Sequence, residues 1–107
     1  MIYEGRFVSV IRGRDDEWKI RVLTKFLPIM KKHGGTPIGA YQTVIGNTQD
    51  YYIVIGFDSV THREKVYESM GNDPEWQKIE AKWNKQATVA NLSISIMKPV
   101  SLPDINE

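Results

Sequence analysis

An α+β fold in the order strand, helix, strand, strand, helix, strand is predicted by three features of this sequence. Four runs rich in β-branched and aromatic residues read as pleated strands. Two stretches between them, the second in two pieces, carry apolar residues at helical spacing instead. The junctions hold glycine, proline, asparagine and aspartate, which end or cap regular structure.

Ile2 to Val10 is the first strand, with Tyr3, Phe7, Val8 and Val10 suited to a pleated surface and Arg12-Gly13-Arg14 ending the run. Neither its odd nor its even positions are purely polar. From Asp15 to His33 the period becomes helical: Trp18, Ile20, Val22, Leu23, Phe26, Leu27, Ile29 and Met30 cover an arc of roughly 200°. Lys19 falls inside that arc and is expected to lay its stem along it. The acidic start at Asp15-Asp16-Glu17 and the basic end at Lys31-Lys32-His33 suit the helix dipole, and Gly34 supplies the stop. Pro28 conflicts with an unbroken helix and predicts a bend or short break within it.

Thr36 to Gly46 and Gln49 to Asp58 read as a hairpin with a tight turn at Gly46-Asn47-Thr48. The nearly continuous apolar run Tyr51-Tyr52-Ile53-Val54-Ile55-Gly56-Phe57 predicts a strand covered on both faces. Thr61-His62-Arg63-Glu64 matches a capping box, opening a helix with Val66, Tyr67 and Met70 inward and His62 facing solvent. Gly71-Asn72 ends it, and Asp73-Pro74-Glu75 starts another with Trp76, Ile79 and Trp83 on one face. Thr88 to Met97 is the last strand, in which Leu92, Ile94 and Ile96 alternate with Asn91, Ser93 and Ser95 as a half-buried edge does. Residues 1–99 therefore make one domain, and 100–107 a polar tail framed by Pro99 and Pro103.

Composition narrows the function. With 14 Lys+Arg against 13 Asp+Glu the chain lacks the basic excess of a typical nucleic-acid binder. It has no Cys, which removes disulfides and thiolate catalysis, and its 2 His make a His-rich metal site unexpected. No apolar run is long enough to span a membrane, and the N-terminus lacks the basic start and apolar core of a signal peptide. The expectation is a cytoplasmic protein.

Two right-handed strand–helix–strand crossovers give a ferredoxin-like βαββαβ architecture, a four-stranded antiparallel sheet with its helices on one face. Yet the first and third strands are apolar on both faces. Two covers are needed and the helices supply one, so the open sheet face is expected to pair with a second copy about a two-fold axis.

Of the two histidines, His33 reads either as a general base or haem ligand, or as a dipole partner at a helix end. The second reading is preferred because no fixed partner for a base is visible. Gly34, Gly35 and Gly39 stand in the wrong order for a phosphate loop, following a helix rather than opening one. Glu4 and Arg6 share one face of a strand and could orient a polar ligand or form a salt link. The aromatic inventory on strands and helices could enclose a planar ligand or fill a solid core.

The strings Met1-Ile2-Tyr3-Glu4-x-Arg6, Lys31-Lys32-His33-Gly34-Gly35 and Asp73-Pro74-Glu75-Trp76 resemble a NIPSNAP domain over about Met1 to Pro99. Gly5 departs from the bulky apolar residue usual in that family, and Gly13-Arg14-Asp15 from its Lys-Pro-Gly turn. The resemblance implies the dimeric α/β-barrel superfamily, whose members include antibiotic-biosynthesis monooxygenases, haem-degrading enzymes and muconolactone isomerases. It carries over no agreed catalytic set.

Two readings stay open on the residues. One is a homodimeric barrel protein binding a small apolar or aromatic metabolite, with monooxygenase- or isomerase-like chemistry and no cofactor; its candidate ligand-binding residues are Tyr3, Arg6, His33, Tyr41, Tyr51 and Trp76. A haem variant of it would use His33 as axial ligand. The other is a non-enzymatic adaptor or assembly module. An aromatic-lined cavity of about 300 Å³ or more favours the first and a filled core the second.

Overall fold

Register decides which residues of β1 (Ile2–Val10) face the core. In the computed structural model, which describes residues 1–103, β1 lies inside a four-stranded antiparallel sheet with β2 (Thr36–Gln42), β3 (Asp50–Phe57) and β4 (Val89–Met97). The order is β2-β3-β1-β4, as the two crossovers require. Glu4, Val8 and Val10 of β1 and Tyr51, Ile53, Ile55 and Phe57 of β3 are buried beneath the helical layer. Of the expected tail at 100–107, residues 104–107 lie outside the described residues.

The first helical stretch is continuous but not uniform: α1 (Asp15–Arg21), a π-helical segment (Val22–Phe26) and α2 (Leu27–Lys32). Proline in α2 has no N–H to donate to Thr24, one turn back. The chain absorbs that loss by widening the preceding turn, where the Leu27 N–H bonds the carbonyl of Val22, five residues earlier. The predicted break is thus a π turn. After α2, Gly34 takes φ of 107°, and the N–H groups of Gly34 and Gly35 close back on the carbonyls of Lys31 and Met30.

Three local expectations are corrected. β2 ends at Gln42, not Gly46, because β3 begins at Asp50 and offers Val44 and Ile45 no partner; the connection is a broad loop rather than a tight turn. The helix α3 (Val60–Gly71) is capped by Ser59, whose hydroxyl accepts from the His62 N–H at 3.0 Å, not by Thr61. His62 is correspondingly not a free surface residue, since its Nδ1 accepts from the Asp58 N–H at 2.9 Å and its ring packs on Phe57. The next helix, α4 (Pro74–Trp83), starts as expected, with Asp73 accepting from the Glu75 N–H at 2.9 Å and Pro74 in the first turn.

The uncovered face carries Tyr3 and Phe7 of β1, Tyr52 and Val54 of β3 and Tyr41 of β2, beside a polar row of Asn91, Ser93 and Ser95 on β4. The opposite row of β4, Leu92, Ile94 and Ile96, lies on the helical side, yet remains 41–43% exposed. The helical layer buries the inward rows of β1 and β3 and stops short of this edge. Gly5 leaves the room its absent side chain suggests, and the Tyr52 hydroxyl and the Met97 methyl occupy it. Among the described residues no helix is long and apolar enough to cross a membrane.

Candidate functional site

An open-mouthed cavity of about 360 Å³ lies between the inward face of the sheet and the helices. Its floor is Arg6 and Val8 of β1, Ile53 of β3 and Leu92 of β4. Trp18, Val22 and Phe26 form one wall, Trp76, Glu80 and Trp83 of α4 the other, and the segment Asn84 to Val89 closes one end. All 3 tryptophans of the chain therefore line one space. The Phe26 and Trp76 rings are 5.8 Å apart, and Trp76 meets Trp83 edge-on at 5.5 Å and 86°. Trp18 and Phe26 belong to the core, Trp76 and Trp83 pack against it, and all four also line the cavity.

The walls follow from local sequence. The Asp-Pro-Glu-Trp string caps α4 and in the same first turn delivers Trp76 to the cavity. Trp18, Val22 and Phe26 recur every four residues through α1 and the π turn, so they stack on one face. Arg21 lies over Trp83 at 5.5 Å and is fixed there by Glu17 and the Gln86 carbonyl, each at 2.9 Å.

Beside the floor, on the same face of β1, is a buried carboxylate. Glu4 is 0% exposed and accepts from Arg63 Nε at 2.7 Å, the Tyr67 hydroxyl at 2.6 Å and Arg6 Nη1 at 3.1 Å. Arg6 Nη1 also reaches Tyr67 at 3.1 Å, and its guanidinium lies 5.1 Å from the Phe26 ring centre. Burial, reinforced by the hydrogen bond to Glu4, holds the Tyr67 phenol well above its ordinary value, so it stays a donor. The cluster ties β1 to α3 and fixes Arg6 at the edge of the cavity.

Of the six candidate residues, the fold brings Arg6 and Trp76 into this cavity. Tyr41 and Tyr51 border a second, smaller one of about 170 Å³ on the other side of Trp18 and Val22. There Tyr51 donates to Asp15 at 2.6 Å and packs on Trp18 at 4.5 Å; burial first, then that bond, pushes its phenol up to about 12. Lys19 lies over the Tyr51 ring at 5.7 Å, as its place in the apolar arc suggested. Tyr3 belongs to the open sheet face and lines neither cavity.

His33 also lies outside both cavities. Its Nε2 is 2.7 Å from Asp73 Oδ2 and its Nδ1 is 2.6 Å from the Ser69 hydroxyl. A carboxylate only accepts, so Nε2 carries a proton, and neither nitrogen is directed at a ligand space. That geometry does not fit an axial haem ligand. The hydrogen bond from His33, aided by Lys32 and the Glu75 N–H, depresses Asp73 to about 2. The motif histidine and motif aspartate thus find each other and pin the end of α2 to the start of α4.

The aromatic inventory counted Trp83 among the side chains that could enclose a ligand, but Arg21, Glu80 and Thr88 were not singled out as site residues. Their place at the cavity depends on how α4 and the segment after it pack over the sheet.

The chain matches the family model named NIPSNAP over residues 3–103. Among solved structures, a NIPSNAP domain protein from Burkholderia xenovorans is 19% identical with a TM-score of 0.83, covering 97% of this chain and 100% of its own. A NIPSNAP family protein of unknown function from Agrobacterium tumefaciens is 23% identical with a TM-score of 0.83, over 99% and 94%. A protein named as an antibiotic biosynthesis monooxygenase from Bordetella bronchiseptica shares the fold more distantly, at 17% identity and a TM-score of 0.69 over 94% and 97%. Among curated proteins none matches this sequence. The family match spans nearly the whole chain and agrees with the ferredoxin-like sheet and with the Asp-Pro-Glu-Trp turn at the cavity wall: this chain belongs to the NIPSNAP family.

Proposed function

We propose that this protein is a homodimer that binds a small apolar or aromatic metabolite in the tryptophan-lined cavity. Any chemistry there is of the monooxygenase or isomerase kind, in which the pocket positions and desolvates its substrate. The observation that carries this reading is the cavity itself: about 360 Å³ and aromatic on both walls, with Arg6, Arg21, Glu80, Asn84 and Thr88 as its polar lining. Small-molecule sites typically occupy roughly 300–1,000 Å³ with such a lining. The fold shared with proteins named as antibiotic biosynthesis monooxygenases supports seeking that chemistry. For the dimer, the support is the aromatic half of the open face, where Phe7, Ile38 and Tyr41 stay exposed beside Tyr3, Tyr52 and Val54.

Titration with planar aromatic compounds, followed by tryptophan fluorescence, tests the site. Saturable quenching that weakens in Trp76→Ala is expected, and no saturable change with any aromatic overturns the reading. Light scattering at micromolar concentration should return twice the chain mass, and Phe7→Lys should shift it toward the monomer. A stable wild-type monomer overturns the assembly.

A further inference from the structure

We propose that the ligand is a planar aromatic carboxylate whose carboxylate is held by the free edge of Arg6. The inference rests on the cavity being the ligand site and adds the charge of what it takes.

Arg6 lines the cavity with its side chain 18% exposed. Both of its hydrogen bonds, to Glu4 and Tyr67, leave from Nη1. Among the described residues Nε and Nη2 have no partner, and no fully buried side-chain nitrogen or oxygen lacks one. Neither donor is therefore fully buried, and both belong to a residue that lines the cavity. They form the side edge of the guanidinium, the pair of parallel N–H groups that fits the two oxygens of a carboxylate.

Charge counting points the same way. The single carboxylate of Glu4 is shared between Arg6 and Arg63, leaving one positive charge in excess around it. Arg21, the other cation of the cavity, shares Glu17 with Arg14, but its Nη1 and Nη2 are both engaged, so it offers no free pair of donors. The lining carboxylate Glu80 is exposed, so water screens it. A neutral aromatic ligand would dry the Arg6 edge without replacing its water, which is costly. A carboxylate replaces that water with charge-assisted hydrogen bonds, while the ring lies against the aromatic side chains that line the cavity.

The far end has its own polar group. Thr88 is 4% exposed, lines the cavity, and its hydroxyl has no hydrogen-bond partner among the described residues. Its carbonyl accepts from the Ile11 N–H at 2.8 Å, which places Thr88 opposite Ile11, five residues on from Arg6. At about 3.3 Å per residue the two backbone positions are roughly 16 Å apart along the strand, so the two polar groups mark opposite ends of the cavity. A ligand with its carboxylate at one end and a hydroxyl at the other meets both.

The experiment uses the unchanged protein and a matched pair of probes, naphthoate and its neutral isostere naphthamide, titrated by tryptophan fluorescence and calorimetry. Naphthoate is expected to bind at least about tenfold tighter, the usual margin of a charge-assisted over a neutral hydrogen bond. That preference should shrink with added salt and vanish in Arg6→Gln, and a hydroxyl opposite the carboxylate should strengthen binding unless Thr88 is changed to Val. Equal affinity for both probes overturns the charge assignment and leaves the cavity reading standing. Binding of neither probe, nor of any other planar aromatic, overturns both. Should Arg6→Gln fail to fold, the probe pair on the wild-type protein still decides.

Discussion

Replacing Glu4 by Gln should destabilise this protein more than almost any other isosteric change. The side chain is 0% exposed and accepts three hydrogen bonds, at 2.6, 2.7 and 3.1 Å, from Tyr67, Arg63 and Arg6. An amide of the same shape keeps one acceptor oxygen but turns an NH2 toward donors, and it removes the charge that compensates two guanidinium groups. Hydrogen bonds to charged groups contribute about 1.5–3 kcal/mol, and breaking a buried ion pair outright costs about 3–5 kcal/mol. Arg6 and Arg63 retain side-chain exposures of 18% and 24%, so part of their charge is relieved by water. The expected loss is therefore about 2–3 kcal/mol, from the lower part of those ranges. For a domain of this size it corresponds to a fall in Tm of about 10 °C or more. Urea unfolding at one fixed protein concentration measures it without a shift from mass action. A double-mutant cycle with Arg63→Gln should return a coupling of about 1 kcal/mol or more. A loss below about 0.5 kcal/mol, the level of an ordinary surface change, would refute the claim that this cluster holds β1 to α3.

Two other outcomes follow from the same geometry. Asp73 falls from 3.8 to about 2 in the folded chain because His33 hydrogen-bonds it, so its stabilising contribution is complete above pH 4 and is lost as pH falls toward 2. Asp73→Asn retains the helix cap, and its stability plotted against pH should be flatter through that window; identical acid limbs would contradict the assignment. Gly5→Ala would place a methyl group against the Tyr52 hydroxyl and the Met97 methyl, both far ends of side chains on the open sheet face that can swing aside, so the expected cost is below about 1 kcal/mol. Tyr52→Phe in the same chain should restore part of that loss, which chemical denaturation would read directly.

Strand and helix order and the stop at Gly34 were legible in the sequence because each is set by local periodicity or by the conformational range of one residue. Which row of β1 and of β3 faces inward was not, because both rows of each are apolar and only the packing of the helices on one side chose between them. Pro28 announced a disturbance, but not that a π turn would absorb it. The capping box pointed to Thr61, and the point at which β3 releases the chain put the cap at Ser59 instead. In the same way, the end of β2 was set by the start of its partner rather than by its own composition.

The candidate site was only half visible for a related reason. Arg6 and Trp76 carried signals in their own neighbourhoods, through a strand-face pair and a helix-capping motif. His33 and Asp73 looked like separate features, and their 2.7 Å contact exists only once α2 and α4 are packed. The sequence by itself determined the elements, the family and the supply of aromatic side chains, all of which depend on residues near one another in the chain. Tertiary structure alone decided that the three tryptophans line one open space as well as packing on the core, and that Arg6 keeps one edge free there. Both depend on distances between segments far apart in sequence, which no local pattern encodes.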